Sequence, residues 1–247
     1  MNAHLVLWPS VEQVLSNSKY ADYDIILTGH SLGGALAALA AARITKQGYR
    51  KGDQLVVYTF GQPRVGDVDF ALNFDSMIPL SYRVVFRHDI VPHSPPCAKN
   101  KPSFFGKDVS LPCNIDAKNQ PYHHGTEIWY STSMAPDSEY IECLGEPKGE
   151  DFTCSNKNKF YYHRPYSYLW DHRHYFSVRV AKYGQAGCDI TQARNKVGAF
   201  DKLDIPFTKA FFRVIKLHEL AFSKVILLSM KLPRCNNESK KFKLIHI

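Results

Sequence analysis

The stretch Asp24-Ile25-Ile26-Leu27-Thr28-Gly29-His30-Ser31-Leu32-Gly33-Gly34-Ala35-Leu36 most constrains what this chain can fold into. Ile25 to Thr28 is apolar and β-branched enough for a strand covered on both faces. Leu36, Leu39 and the alanines between Ala35 and Ala42 suit a helix packed closely on a sheet. Between them, Gly29-His30-Ser31-Leu32-Gly33 has the G-x-S-x-G pattern of a tight strand-to-helix turn. A serine at the apex of such a turn is strained and points Oγ away from the sheet, and side chains at Gly29 or Gly33 would strike neighbouring backbone. The helix that follows aims its first N–H groups at the space beside Ser31, which favours an oxyanion there. Ser31 is therefore a candidate nucleophile.

The 247 residues, 45% of them hydrophobic, suffice for one α/β domain with a real core. No apolar run approaches the length of a membrane span. Met1 to Pro9 lacks both the basic start and the apolar core of a signal peptide. The net charge of +8 is unevenly placed: residues 189–247 hold 12 Lys+Arg against 5 Asp+Glu, whereas residues 1–188 hold 19 against 18. A near-neutral main region argues against a nucleic-acid face there. The six cysteines form no C-x-x-C pair, which argues against zinc. Cys97/Cys113 and Cys143/Cys154 each bracket a loop-rich segment, a spacing that suits disulfides in an oxidising compartment; free thiols are the alternative.

Along the chain, residues 10–22 read as an amphipathic helix, with Ser10 and Gln13 as a capping box and Val11, Val14 and Leu15 on one face. The elbow helix runs from Leu32 to about Lys46, ended by Gly48. A strand over Gln54–Phe60, a helix from about Val68 to Met77 and a strand over Tyr82–Arg87 follow, an order that implies parallel strands. Residues 95–121 read as a loop excursion, Thr126–Tyr130 and Glu139–Glu142 as late strands, and 144–168 as loop.

A serine hydroxyl needs a histidine to take its proton and a carboxylate to hold that histidine's tautomer. Asp89 sits just past the strand Tyr82–Arg87, at the strand end where such sheets place their sites. Asp67 and Asp69 compete, but they lie at a helix N-terminus, where an acid is favourable anyway. Among eleven histidines, His172 is expected on a loop after the last strands, His174 has similar topological credentials, and spacing alone does not separate them.

Four ordered motifs carry a resemblance. Gly29 to Leu36, Phe60-Gly61-Gln62-Pro63-Arg64-Val65-Gly66, Arg87-His88-Asp89-Ile90-Val91-Pro92-His93 and Asp171-His172-Arg173-His174-Tyr175-Phe176 together resemble the class 3, fungal-type triacylglycerol lipases over about residues 10–188. The resemblance implies a Ser31, Asp89, His172 triad, and it is what selects His172 over His174. Arg64 is expected to pair with a carboxylate or carbonyl. His93 is expected to be a loop histidine with a satisfied hydrogen bond, and the pair His123-His124 is assigned no chemistry.

In that family roughly half a domain precedes the elbow, with early strands, a lid helix and a Ser or Thr that completes the oxyanion hole. Only 23 residues precede Asp24 here. The expectation is thus the C-terminal part of an α/β hydrolase fold, a largely parallel sheet with a nucleophile elbow. It divides into a partial lipase domain over 1–190 and a divergent basic tail over 191–247. The Leu32 N–H is the one oxyanion donor expected, and a missing second donor lowers turnover by about a hundred- to a thousand-fold. Cys188 is expected to lack its family partner. The strand Ile25–Thr28 should carry an unpaired edge or borrow an improvised partner. A basic helix from about Phe207 to Lys231 lying on an anionic membrane is one reading of the tail, and an unstructured segment is the other. The implied function is hydrolysis of lipid esters at a lipid–water interface, with no cofactor or metal and a secreted full-length form. The alternative is a catalytically impaired lipase-like module that binds lipid surfaces.

Overall fold

Strands that are apolar at both odd and even positions must be covered on both faces, and the sheet is built from such strands. The computed structural model describes residues 2–100, 111–146, 148–161, 165–186, 225–230 and 242–246. In chain order these form α1 (Asn2–Leu15), β1 (Asp24–His30), α2 (Leu32–Lys46), β2 (Leu55–Phe60), β3 (Gly66–Asp67), α3 (Val68–Met77), β4 (Ser81–Phe86) and β5 (Pro121–Tyr122). Then come β6 (Thr126–Tyr130), β7 (Ile141–Cys143), α4 (Pro165–Arg173), β8 (His174–Tyr175), β9 (Val178–Arg179), α5 (Val180–Gln185), β10 (Val225–Met230) and β11 (Phe242–His246).

The main sheet has seven strands in the order β11-β10-β1-β2-β4-β6-β7. Neighbours run parallel except β6 and β7. On one face Ile26, Val56, Tyr58, Phe60, Val84, Phe86 and Ile128 pack with Tyr175, Phe176 and Val178. On the other, Ile25, Leu27, Leu55 and Val57 meet the alanine-rich side of α2, with Phe74 of α3 and Trp8, Val11 and Leu15 of α1. Small side chains let α2 lie close to the strands, which fixes the turn at its start.

Local signals located α2, β2, α3, β4 and β6 well, and the two expected disulfides, Cys97–Cys113 and Cys143–Cys154, are formed. Three readings need correction. The first helix spans Asn2–Leu15 with Pro9 inside, not residues 10–22, and Ser10 is an exposed mid-helix residue, not a cap. The buried repeat Trp8, Val11, Leu15 crosses the proline, so packing outweighs the single backbone bond Pro9 removes. Residues 144–168 are not loop to their end, because α4 begins at Pro165. The late strand is the shorter β7.

The open edge of β1 has a partner. β10 pairs with it in parallel register, Asp24 opposite Val225 through Gly29 opposite Met230, and β11 extends the sheet beyond. This corrects the tail helix where the structure describes it: Val225–Met230 is a strand, since a short apolar run beside an unpaired strand gains a full ladder of backbone bonds. Residues 207–224, Cys188 and Cys235 lie outside the described residues.

Candidate active site

β1 delivers Ser31 to the top of the sheet at φ 58°, ψ −130°, a region that costs about 1–3 kcal/mol and persists only where surroundings enforce it. The enforcement is local. The Ser31 N–H donates to the Phe60 carbonyl at 2.9 Å, and the Gly34 N–H donates back to the Ser31 carbonyl at 2.9 Å. A Cβ on Gly29 would collide with the Gly33 carbonyl. Serine at the first position of a helix ordinarily caps it. Ser31 makes no such bond; its Oγ–H points instead at His172 Nε2, 2.9 Å away.

His172 stands in the last turn of α4, not on the loop expected. Its Nδ1–H donates to both carboxylate oxygens of Asp89, at 3.0 and 2.9 Å. Asp89 follows β4 and is fully buried. Its charge is supported by the Tyr175 hydroxyl, which donates to Oδ2 at 2.7 Å, and by the Val91 N–H, which donates to Oδ1 at 2.9 Å. Gly61, at the end of β2 with φ 56°, makes room for this meeting. A Cβ there would sit 2.6 Å from Asp89 Oδ2 and 3.0 Å from both His172 Nδ1 and the Tyr175 hydroxyl.

His30 fastens the other side. Its Nε2–H donates to the His172 carbonyl at 2.7 Å, and the two imidazoles stack at 4.6 Å. Burial, and then the neighbouring His172, lower the His30 pKa to about 4. His30 therefore stays neutral near pH 7 and puts no positive charge beside the His172 ring.

The structure brings Ser31, His172 and Asp89 into one hydrogen-bonded chain, with Leu32 at the start of α2 immediately after Ser31. The competitors are occupied elsewhere. Asp67 caps α3 by accepting from the Phe70 N–H, and Asp69 is exposed on that helix. His174 Nδ1–H donates to the Trp170 carbonyl at 2.7 Å. Sequence reasoning missed Tyr175, His30 and Gly61 as supports. The Tyr175 hydroxyl meets a carboxylate 86 positions earlier, a contact no local pattern signals.

Arg64 meets both kinds of partner expected of it, Glu150 at 2.7 and 2.9 Å and the Pro95 carbonyl at 3.0 Å. His93 is a correction. Its Nε2 is buried without a hydrogen-bond partner among the described residues, and its ring packs 4.7 Å from Phe160. Burial lowers its pKa to about 3, so it is held neutral by packing. His124 lies 3.9 Å from the Phe74 ring and accepts from the Gln62 amide, and burial lowers its pKa to about 3. Glu127, Cys143 and Cys154 also cluster among the described residues, but their two sulfurs are bonded to each other and offer no thiolate to a metal.

Residues 3–99 match the family model described as lipase (class 3). The chain is 43% identical over 192 residues to lipase ZK262.3 of Caenorhabditis elegans, covering 76% of this chain and 54% of that protein. A lipase from Rhizopus microsporus var. chinensis superposes with a TM-score of 0.53 at 30% identity, over 72% of this chain and 53% of that one. A triacylglycerol lipase whose catalytic centre is a serine-protease triad superposes with a TM-score of 0.55 at 28% identity, over 72% and 57%. The chain spans about half the length of the relatives it matches.

Proposed function

The chain belongs, over its matched residues, to the class 3 lipases of the α/β hydrolase superfamily, and on that premise we propose that it hydrolyses lipid esters by acyl transfer through Ser31. The observation that carries the reading is the unbroken line from Ser31 Oγ through the His172 ring to Asp89. The similarity to a triacylglycerol lipase with a serine-protease triad supports it.

As Ser31 Oγ attacks the ester carbonyl, His172 Nε2 takes its proton, and Asp89 stabilises the imidazolium through Nδ1–H. The Leu32 N–H donates to the developing oxyanion. Collapse of the tetrahedral intermediate expels the alcohol, which takes the proton from His172, and leaves Ser31 acylated. Water then loses a proton to His172 and attacks the acyl carbon. The fatty acid departs and the proton returns to Ser31 Oγ. Every proton lost is regained, so the cycle needs no further reactant. Leu32, 49% exposed beside Ser31, offers an apolar rim to an acyl chain at a lipid–water interface.

Residues 1–190 are proposed as the lipase part and 191–247 as the divergent basic tail. The two disulfides support secretion of the full-length protein, since such bridges persist in oxidising compartments. The test is hydrolysis of p-nitrophenyl butyrate. Ser31→Ala should lower turnover by about 10⁴-fold or more at unchanged melting temperature. Equal rates in the two proteins would overturn the proposal.

A further inference from the structure

α4 is short, yet it presents three different environments. At about 100° per residue, Tyr166, Leu169 and Trp170 share one face, His172 lies on one flank of it, and Ser167 and Asp171 lie on the other. The shared face is exposed: 86% for Tyr166, 36% for Leu169 and 45% for Trp170. Such a ridge of two aromatics and a leucine on a single short helix is what lipid surfaces take up, because Tyr and Trp rings tolerate the headgroup boundary.

On the flank away from His172 is a cleft of about 250 Å³, lined by Arg87, His88, Lys159, Tyr161, Tyr168 and Asp171. Its charge is cationic on balance. Two cations, Arg87 and Lys159, face one acid, Asp171, which lies 3.7 Å from Arg87 Nη1 and accepts from the His88 N–H at 3.2 Å. Arg87 is also held in place by its backbone. At φ 47° it is in the left-handed region, which a non-glycine residue keeps only when surroundings enforce it. The Arg87 N–H donates to the Tyr130 carbonyl at 2.8 Å, and its own carbonyl accepts from Trp129 Nε1 at 3.1 Å and Asn158 Nδ2 at 3.0 Å. The backbone is therefore pinned while the side chain remains 44% exposed at the cleft. A guanidinium fork and an ammonium in one small cleft recognise a phosphate.

We propose that this cleft binds the phosphodiester headgroup of an anionic lipid while Tyr166, Leu169 and Trp170 rest in the same lipid surface. The cleft has a polar and charged lining, and the apolar ridge beside it is where acyl chains would begin. That adjacency is why the phosphate is assigned to a lipid. Bound this way, the headgroup holds the surface against the helix whose opposite flank carries His172. The use of this anchor rests on the lipid-hydrolase reading, but the binding itself does not.

Vesicle co-sedimentation of the full chain tests it, comparing phosphatidylcholine vesicles with vesicles containing about one-fifth phosphatidylglycerol. The wild-type protein should bind the anionic vesicles about tenfold more tightly. The double variant Arg87→Gln, Lys159→Gln should lose that gain at unchanged melting temperature. Tyr166→Ala should weaken binding to both vesicles. A control variant, Lys240→Gln with Lys241→Gln, should keep the gain. Equal loss in the control would assign the effect to the pooled charge of the basic tail and overturn the proposal, as would a double variant that keeps the gain. Inorganic phosphate that competes fully, with Tyr166→Ala indistinguishable from wild type, would make the cleft a free-phosphate site and overturn the lipid assignment. A wild-type protein inactive on p-nitrophenyl butyrate but still dependent on phosphatidylglycerol would sink the hydrolase reading and leave the cleft standing. Activity without that dependence would do the reverse.

Discussion

The two sides of β1 pair with it alike and contribute differently. β2 and β10 both run parallel to it, each matched to it over six residues. Yet the groups that meet at Ser31, among the described residues, arrive from the β2 side: Gly61 after β2, Asp89 after β4, and His172 and Tyr175 around the start of β8. Pairing asks only for a strand of compatible register. Chemistry asks for turns that end at the same point in space. A strand in a stretch that looks unlike the family can therefore close a sheet edge by backbone pairing alone.

Substitutions on the two sides should separate these roles. The largest effect is expected from Gly61→Ala, whose methyl would force apart Asp89, His172 and Tyr175. Turnover on p-nitrophenyl butyrate should fall at least about a hundredfold, since misplacement of reacting groups by about 1 Å costs that much. Acid should act next, on stability. His30 and His124 have pKa values lowered to about 4 and about 3 from 6.5, so between those values and 6.5 the unfolded chain binds protons the folded one refuses. Unfolding free energy should then decline as pH falls below about 6.5, by up to about 3 kcal/mol for each histidine by pH 4. Urea melts across this range check the sign; a flat profile would show that these rings are not held neutral.

Tyr175→Phe removes one hydrogen bond to the buried Asp89 carboxylate. Bonds to charged groups contribute about 1.5–3 kcal/mol, so turnover should fall about ten- to a hundredfold, with KM little changed. On the other side, Leu227→Pro breaks the ladder opposite Ile26. Its melting temperature should drop by several degrees, while turnover per folded molecule stays within about threefold of wild type. A hundredfold loss there would erase the distinction between the two sides.

What the sequence made legible was local. The elbow, α3 with its Asp67 cap, and the acid after β4 each follow from a turn, a cap or a strand end within a few residues. His172 and His174 could not be separated by spacing, because only the fold decides that one ring faces Ser31 and the other its own helix. Tyr175 and Gly61 escaped for a related reason: their roles exist only where segments distant in sequence converge. The start of α1 was missed because Ser10 and Gln13 have the pattern of a capping box, while the buried stripe ran through them. Val225–Met230 was misread because a short apolar run has the same pattern in a helix or a strand until a partner is present.

Whether Ser31, His172 and Asp89 act as one unit built from the β2 side is read from the rate and position of labelling by a fluorophosphonate, followed by intact-mass and peptide mass spectrometry. One adduct per chain is expected, on Ser31, formed about 10⁴-fold more slowly in Asp89→Asn and at nearly the wild-type rate in folded Leu227→Pro. An adduct on another residue, or undiminished labelling of Ser31 in Asp89→Asn, would contradict it.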